Sequence, residues 1–470
     1  MALRRVQAPK IDFTPLRREL KLPDSYPPDA EREAEQAATT PPGGTRADLT
    51  DVPFVTIDPA TSLDLDQAMC LERRTGGGYR VRYAIADVAA FVQGAAALDA
   101  ETWRRGQTVY LPDGKVPLHP QVLSEGAASL LADQTRPAVV WTIDLDADGA
   151  SVAVTVERAL VRSRAKLDYV GVQSDVDSGR APEPVALLPE IGKLLVARGL
   201  ARGAINLPIP EQEVDRDGDG WCLELRAPQP IEEFNAQISL LTGMCAAQIM
   251  LAGRVGLLRT MPAPQASAVD RLRAAAPVLG VRWPDGATVG AVIAALDLAD
   301  PRSAAFLDQA AELMRGAGYA AFDGTPPAAP GHGAVAAPYA HVTAPLRRLA
   351  DRYATEVCLA LHSGAEVPDW AREALPKLPD VMSATDRTAN AAERGAVDLA
   401  EAVVLADRVG EVFDAAVIDV DNHHAVVALD DPPVRARCDG TGLPLGGRVR
   451  VRLSVADPAQ RRVLFTVEES

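Results

Sequence analysis

The chain has 470 residues, with 48 lysines and arginines against 64 aspartates and glutamates, a formal net charge of −16. That length suits two to four domains with sizeable cores, and the apolar and charged fractions are those of a globular protein. The acidic balance argues against a general phosphate binder unless basic residues cluster locally. With no run of eighteen apolar residues, the sequence predicts neither a membrane span nor a membrane partner.

Residues 1–50 read as a short helical N-terminal segment. In "DFTPLRRELKL", Thr14 can cap a helix with Pro15 at its first position, and Leu16 and Leu20 share one face. In "PPDAEREAEQAAT", Asp29 can cap a second helix, and "TPPGG" at 40–44 breaks the pattern. A segment that docks on a neighbouring domain fits this better than an independent nucleic-acid binder. The first residues carry basic charge without a following apolar run, so no signal peptide is expected.

Residues 51–405 alternate strands and helices without a linker. "VPFVTID", "GYRVRYAIAD" and "PAVVWTIDLDADG" are strand-like, while "FNAQISLLTGMCAAQIMLAGRVG" and "APLRRLADRYATEVCLALHSG" predict long amphipathic helices. Residues 406–470 change character, with five short strand candidates that suit an OB barrel. There Arg448, Arg450 and Arg452 alternate with apolar residues, so a strand places all three on one face. A solvated face explains that pattern as well as contact with RNA or DNA does. The fold class is therefore α+β, a large mixed α/β domain followed by a small all-β OB barrel.

The five cysteines, Cys70, Cys222, Cys245, Cys358 and Cys438, are scattered and form no C-x-x-C pair. They predict reduced thiols in a cytoplasmic protein. Metal-like histidine spacing is confined to His423–His424, in a polar turn. A bound metal would then be held by oxygen, which favours Mg²⁺ or Mn²⁺.

Two stretches carry chemistry. In "TIDPATSLDLDQAM", Asp58 ends an apolar run, and Asp64 and Asp66 point to one face of an extended segment, with Leu63 and Leu65 on the other. Convergent carboxylates repel unless protonated or bridged by cations, so a divalent metal is the usual motive. In "YAHVTAPLRRLADRY", Thr343, Ala344 and Pro345 signal a helix start, which puts Arg347 and Arg348 in its first turns. Arginines there oppose the helix dipole unless an anion is bound or nearby acids pair with them.

These stretches, with "YAIADVAAFV", "TVYLPDGKVPLHP", "SLLADQTRPAVVWTIDLDADG" and "RGAINLPIPE", resemble the successive motifs of the ribonuclease II / ribonuclease R (RNB) exoribonucleases. The resemblance implies an RNB-type catalytic domain and a C-terminal RNA-binding barrel. It implies a processive, metal-dependent 3′→5′ hydrolase that releases nucleoside 5′-monophosphates from single-stranded RNA, with no obligate protein partner. Asp58, Asp64 and Asp66 match three of the family's four acidic positions, with Asp66 the essential carboxylate. Arg347, in "APLR", matches the arginine that acts on the scissile phosphate. Tyr110 matches an aromatic that stacks on terminal nucleotides, and His341 and Arg348 are expected to flank the phosphate path.

The chain departs from the family pattern in several places. Gln67 replaces the fourth aspartate, and a glutamine carbonyl there is expected to serve as a weaker metal ligand. Ala236 and Gln237 stand in place of a Glu-Glu pair, and Leu207 in place of a second stacking aromatic. Fifty N-terminal residues cannot hold the two barrels that precede the family's catalytic domain, so RNA with a 3′ overhang is a further expected substrate. Gln67 and Gln237 keep open a catalytically silent RNA-binding protein on the same scaffold. A phosphodiesterase of small molecules is the other rival, and the arginine strand argues against it.

Overall fold

The computed structural model describes residues 4–468 apart from 9, 41–42, 299, 421–423 and 441. His423, and Pro41 and Pro42 of the predicted breaker, lie outside the described residues. In chain order, the elements that build and support the site begin with β1 (Arg4–Ala8), α1 (Thr14–Glu19), α2 (Pro28–Thr39) and β2 (Ala47–Leu49). Next come β3 (Gln67–Arg73), β4 (Tyr79–Ala86), β5 (Val109–Leu111), β6 (Gly114–Val116), β7 (Thr135–Leu145) and β8 (Ser151–Arg162). The hairpin β9 (Glu211–Asp217) and β10 (Gly220–Arg226) precedes α3 (Pro230–Gly253), α4 (Leu349–Ser363) and α5 (Leu378–Leu405). The chain closes with β11 (Val412–Val420), β12 (His424–Leu429), β13 (Arg435–Asp439), β14 (Arg448–Asp457) and β15 (Arg462–Val467).

The central sheet has the order β2-β8-β7-β4-β3. Its inner strands alternate apolar and polar residues over 79–82 and 141–145, and large and small apolar residues over 83–86 and 138–141, where both faces are covered. Tyr79, Val81, Tyr83 and Ile85 of β4 join Val139, Trp141 and Ile143 of β7 in one core. Ala84, Ala86, Ala138 and Val140 face the other way, against Ala30 and Ala34 of α2. Side chains of period 2 therefore sort themselves into two cores of different depth.

Helix α3 lies under the large face. By length and composition it could cross a membrane, which the reading of apolar runs missed. Yet Ile238, Leu241, Ala246, Ala247 and Met250 are buried in the main core, so it is the core helix of this sheet. Its Gly243 lets residues 339–340 pass close by: a Cβ there would lie 2.2 Å from the Tyr339 ring and 2.5 Å from the Ala340 carbonyl oxygen.

The N-terminal segment docks, as expected. Strand β1, not foreseen, pairs antiparallel with β10. Leu16 packs among α5 and barrel residues. Both capping expectations fail by a residue or two. Phe13 is the N-cap of α1, with Asp12 Oδ1 accepting from the Thr14 amide at 2.9 Å, and Pro27 is the N-cap of α2.

The five C-terminal strands form a closed barrel in the order β11-β12-β13-β15-β14. Arg448, Arg450 and Arg452 do share one strand face. Arg448 forms a bidentate pair with Asp430, however, and Arg452 bonds Glu468 at 2.7 Å and the Gly410 carbonyl at 2.6 Å. Two of the three are thus engaged within the barrel, and Arg450 faces Asp414 in register. All five cysteines are buried and free.

Candidate active site

The acid loop, residues 58–66, connects the end of the Thr56–Ile57 strand to β3. It is pinned from below. The Leu65 amide donates to Ser129 Oγ at 3.0 Å, and Ser129 Oγ donates to the Leu63 carbonyl at 2.7 Å. Leu65 is buried and Leu63 is half exposed, so the loop is not the regular strand that two-residue spacing suggested. As a result the three aspartates are held by different partners. Among the described residues they do not close into a three-ligand metal cage.

Asp58 keeps its Oδ2 shielded from solvent and without a hydrogen-bond partner. Burial, then the charge of Asp64, push its carboxyl up to about 7 against the pull of Arg347 and Lys166. Asp66 is 5% exposed. Its Oδ1 accepts the Leu346 amide at 2.7 Å, and its Oδ2 lies 3.8 Å from Arg347 Nε. Burial raises its proton affinity well above the carboxylate range, which Arg347 and the Leu346 amide only partly offset. Asp64 is different: Lys115 Nζ sits 2.8 Å from its Oδ1, and the Tyr110 hydroxyl donates to its Oδ2 at 3.2 Å.

Arg347 and Arg348 precede the helix. Arg348 is the extended N-cap of α4, which begins at Leu349. Tertiary pairing overrides the local helix signal: the Thr108 amide donates to the Arg347 carbonyl at 3.0 Å, and the Leu349 amide to the Gly106 carbonyl at 2.9 Å. The alternation of an extended chain then sends the two arginines apart. Arg347 is 45% exposed in front of Asp66. Arg348 turns inward and binds Asp351 through Nε and Nη2, each at 2.9 Å. Asp351 Oδ1 also accepts the Ala344 amide at 2.7 Å, so Arg348 holds the loop's shape.

His341 does not offer positive charge to a phosphate path. Its Nδ1 is 2.7 Å from the Tyr319 hydroxyl, and Tyr319 and Tyr339 meet its ring edge-on. Burial, then Arg348 and Arg259, drive its pKa well below that of a free imidazole, so it is neutral. Leu207 packs with Ile205 on a satellite core among the helices between 266 and 311. Tyr110 is half exposed beside Asp64, as a stacking platform requires.

Gln67, expected as a ligand, is engaged at both ends. Its Nε2 donates to the Thr343 carbonyl at 2.6 Å, and its Oε1 accepts the Tyr83 hydroxyl at 2.7 Å. Thr343 Oγ1 in turn lies 2.7 Å from Ser239 Oγ on α3. Gln67 is the first residue of β3, so its side chain alternates away from that of Asp66. Adjacent residues thus grip one loop: Asp66 holds the Leu346 amide and Gln67 the Thr343 carbonyl. Sequence reading missed Lys115, Tyr83, Ser239 and Thr343 as parts of the site. Only the register of "TVYLPDGKV", which sets Lys115 opposite Tyr110, could have flagged the first.

The donor set fits a divalent cation. The orphaned Asp58 Oδ2 and the buried Asp66 carboxylate are hard oxygen ligands short of positive charge.

Comparison with known proteins agrees with the geometry. Residues 46–361 match the RNB domain, and residues 411–468 match the RNase II-type exonuclease C-terminal S1 domain. Ribonuclease R of Escherichia coli K12 is 26% identical over 481 residues, covering 90% of this chain. The chain spans 58% of that relative's length. Among solved structures, Mycoplasma genitalium RNase R in complex with ribose methylated single-stranded RNA superposes with a TM-score of 0.85 at 20% identity, over 96% of this chain and 77% of that one. Yeast Ssd1, a pseudonuclease, matches with a TM-score of 0.69 at 18% identity, over 87% of this chain and 52% of that one. By the match of its acid loop, its arginine loop and the fold that joins them, the chain belongs to the RNB domain family.

Proposed function

We propose that the chain is a 3′→5′ exoribonuclease that degrades single-stranded RNA processively to nucleoside 5′-monophosphates with Mg²⁺ or Mn²⁺. One observation carries the reading: an exposed Arg347 stands in front of a buried Asp66 carboxylate and near a part-buried Asp58 whose Oδ2 has no partner. That arrangement is unfavourable in the resting protein and favourable once a cation and a phosphate arrive.

Asp58 and Asp66 would hold the cation, which neutralises phosphate oxygens and acidifies the attacking water. Asp66 would orient that water, since the Leu346 amide fixes its carboxylate. Arg347 would clamp the scissile phosphate through its planar fork as negative charge builds. Tyr110 would stack on a terminal base, a contact indifferent to sequence. Arg348 and His341 support these groups from behind. Gln67 ties the two catalytic loops together and does not ligate metal. The barrel would hold the trailing RNA, with Arg450 the arginine of its strand best placed to contact phosphate. RNA carrying a 3′ overhang is a further substrate, and the buried free thiols suit a cytoplasmic setting.

The test is incubation with 5′-labelled single-stranded RNA, with Mg²⁺ or with EDTA. Stepwise shortening and release of 5′-mononucleotides only with metal is the expected result. Activity untouched by EDTA, or products bearing 3′-phosphates, overturns the proposal. The second reading, a silent RNA-binding protein, is favoured by Gln67, whose amide is bonded at both its nitrogen and its oxygen where the family has an acid. RNA binding without nucleotide release at any Mg²⁺ or Mn²⁺ concentration would establish it.

A further inference from the structure

We infer that Lys115 is a built-in counter-cation of the acid loop, occupying Asp64 so that the site takes one divalent cation, at Asp58 and Asp66, and not two. The inference rests on the metal-dependent reading above and adds to it the number of ions.

The hairpin β5–β6 carries the argument. Tyr110 and Lys115 are register partners across it, so their side chains leave on the same face. Each takes one oxygen of the same carboxylate: Lys115 Nζ lies 2.8 Å from Asp64 Oδ1, and the Tyr110 hydroxyl 3.2 Å from Oδ2. Glu125 holds the ammonium from its other side at 2.9 Å. The lysine side chain is 19% exposed, not a mobile surface chain.

The hairpin itself is anchored. Arg17 of α1 binds Asp113 in its turn at 2.6 and 3.2 Å, and the Gly114 carbonyl at 3.0 Å. The docked N-terminal segment thereby fixes where Lys115 stands.

A dication at Asp64 would have to displace this ammonium or lie beside it, and like charges that close repel strongly. Asp58 and Asp66 carry no such internal cation in contact. The Asp58 Oδ2 atom has no partner, and the nearest cationic group to Asp66 is Arg347 at 3.8 Å. Three carboxylates in the sequence therefore act as a two-carboxylate metal site plus one salt-bridged anchor. That anchor sets the stacking tyrosine and the acid loop at a fixed separation.

The experiment counts ions without RNA. Full-length protein stripped with EDTA and dialysed is titrated with Mn²⁺, with heat release and the electron paramagnetic resonance of free Mn²⁺ as readouts. Wild type should bind one Mn²⁺ per chain. Lys115→Met should bind two, because Asp64 and Glu125 are left with no cation, and Lys115→Arg should stay at one. Asp64→Asn should keep the single site within about threefold of its affinity, whereas Asp58→Asn should lose it. Two Mn²⁺ in wild type, or loss of the site in Asp64→Asn, overturns the role of Lys115 while leaving metal dependence intact. A single Mn²⁺ in a folded Lys115→Met variant also overturns it. No Mn²⁺ bound by wild type would overturn both readings.

Discussion

The acid loop and strand β14 of the barrel share a sequence pattern and differ in how their charge is resolved. Each sets like charges two residues apart: Asp64 and Asp66 in one, Arg448, Arg450 and Arg452 in the other. In the barrel, Asp430 and Glu468 neutralise the outer arginines. In the acid loop Lys115 holds Asp64 at 2.8 Å, while the buried Asp66 has Arg347 no nearer than 3.8 Å and the part-buried Asp58 keeps an unpartnered Oδ2. Like-charge spacing is therefore not a functional signal in itself. The difference lies in partners distant along the chain, and a site is where those partners are withheld.

The sharpest way to break this contrast is at the adjacent arginines, which have opposite fates. Arg347→Lys should lower the rate of RNA cleavage by about 10²–10³-fold, because an ammonium cannot reproduce the guanidinium fork. RNA affinity should fall far less. Arg348→Lys should act through the fold, since it leaves the fully buried Asp351 with a poorer partner. Single-turnover rates beside thermal melts separate the two. A wild-type rate for Arg347→Lys would mean that its fork does no work on phosphate.

Tyr110→Ala should weaken RNA binding by about 1–3 kcal/mol, the worth of one stacked base. It also removes one of the two bonds to Asp64, so Tyr110→Phe is the companion variant. Phe should bind RNA nearly as wild type, as fluorescence anisotropy would show. Equal losses for Ala and Phe would shift the role from stacking to the hydroxyl.

Gln67→Asp is the next step down. Aspartate is one methylene shorter and carries no donor for the Thr343 carbonyl, so the strut between the acid and arginine loops is lost. The turnover rate at saturating Mg²⁺ should fall about tenfold, roughly 1.4 kcal/mol of barrier, with little gain in metal affinity. A Mg²⁺ titration decides: a lower half-saturating concentration with an unchanged rate would make the glutamine a ligand after all.

These variants also mark where the sequence could be read. The barrel's five strands were visible because short alternating runs and turns are local properties. The acid loop and Arg347 were visible through motif spacing. The environments of Arg348 and His341 are not legible in the sequence because distant partners, Asp351 and Tyr319, decide their charge and reach, and the shape of the 343–348 loop is set by pairing with residues 106–108. Lys115 carries no local signal, and the sequence does not show what Gln67 bonds, for the same reason. Their meaning lies in contacts with Asp64, Thr343 and Tyr83, which only the fold brings together.

A smaller effect follows from proton linkage at Asp58. Its folded carboxyl titrates at about 7, above its ordinary value of 3.8. The folded state therefore binds the proton more tightly than the unfolded chain. Stability should be greatest below the unfolded value and decline as pH rises from about 4 through 7. Without metal, Asp58→Asn should remove this decline and raise the melting temperature at pH 8 by about 2–4 °C. Melts in EDTA at pH 5 and pH 8 test it, and a variant less stable than wild type at pH 8 would count against an undercompensated charge.

The smallest effect is expected in the barrel, and it bears directly on the contrast. If all three arginines of β14 contacted RNA, replacing them by glutamine would reduce the salt slope of single-strand binding by about 2, at about 0.7 per phosphate contact. The pairs with Asp430 and Glu468 change that forecast, because an arginine already neutralised gives up an ion pair to gain one. Exposed pairs of this kind are worth little, but exchanging one for another is worth less still. Arg450→Gln alone should therefore account for most of the change, with a slope reduced by about 0.7. Arg448→Gln and Arg452→Gln should leave the slope near its wild-type value and lower barrel stability slightly. Binding measured between 50 and 300 mM KCl distinguishes the cases. A loss close to 2 shared evenly among the three would show that RNA opens the barrel's ion pairs, and that the two regions differ less than their resting charges indicate.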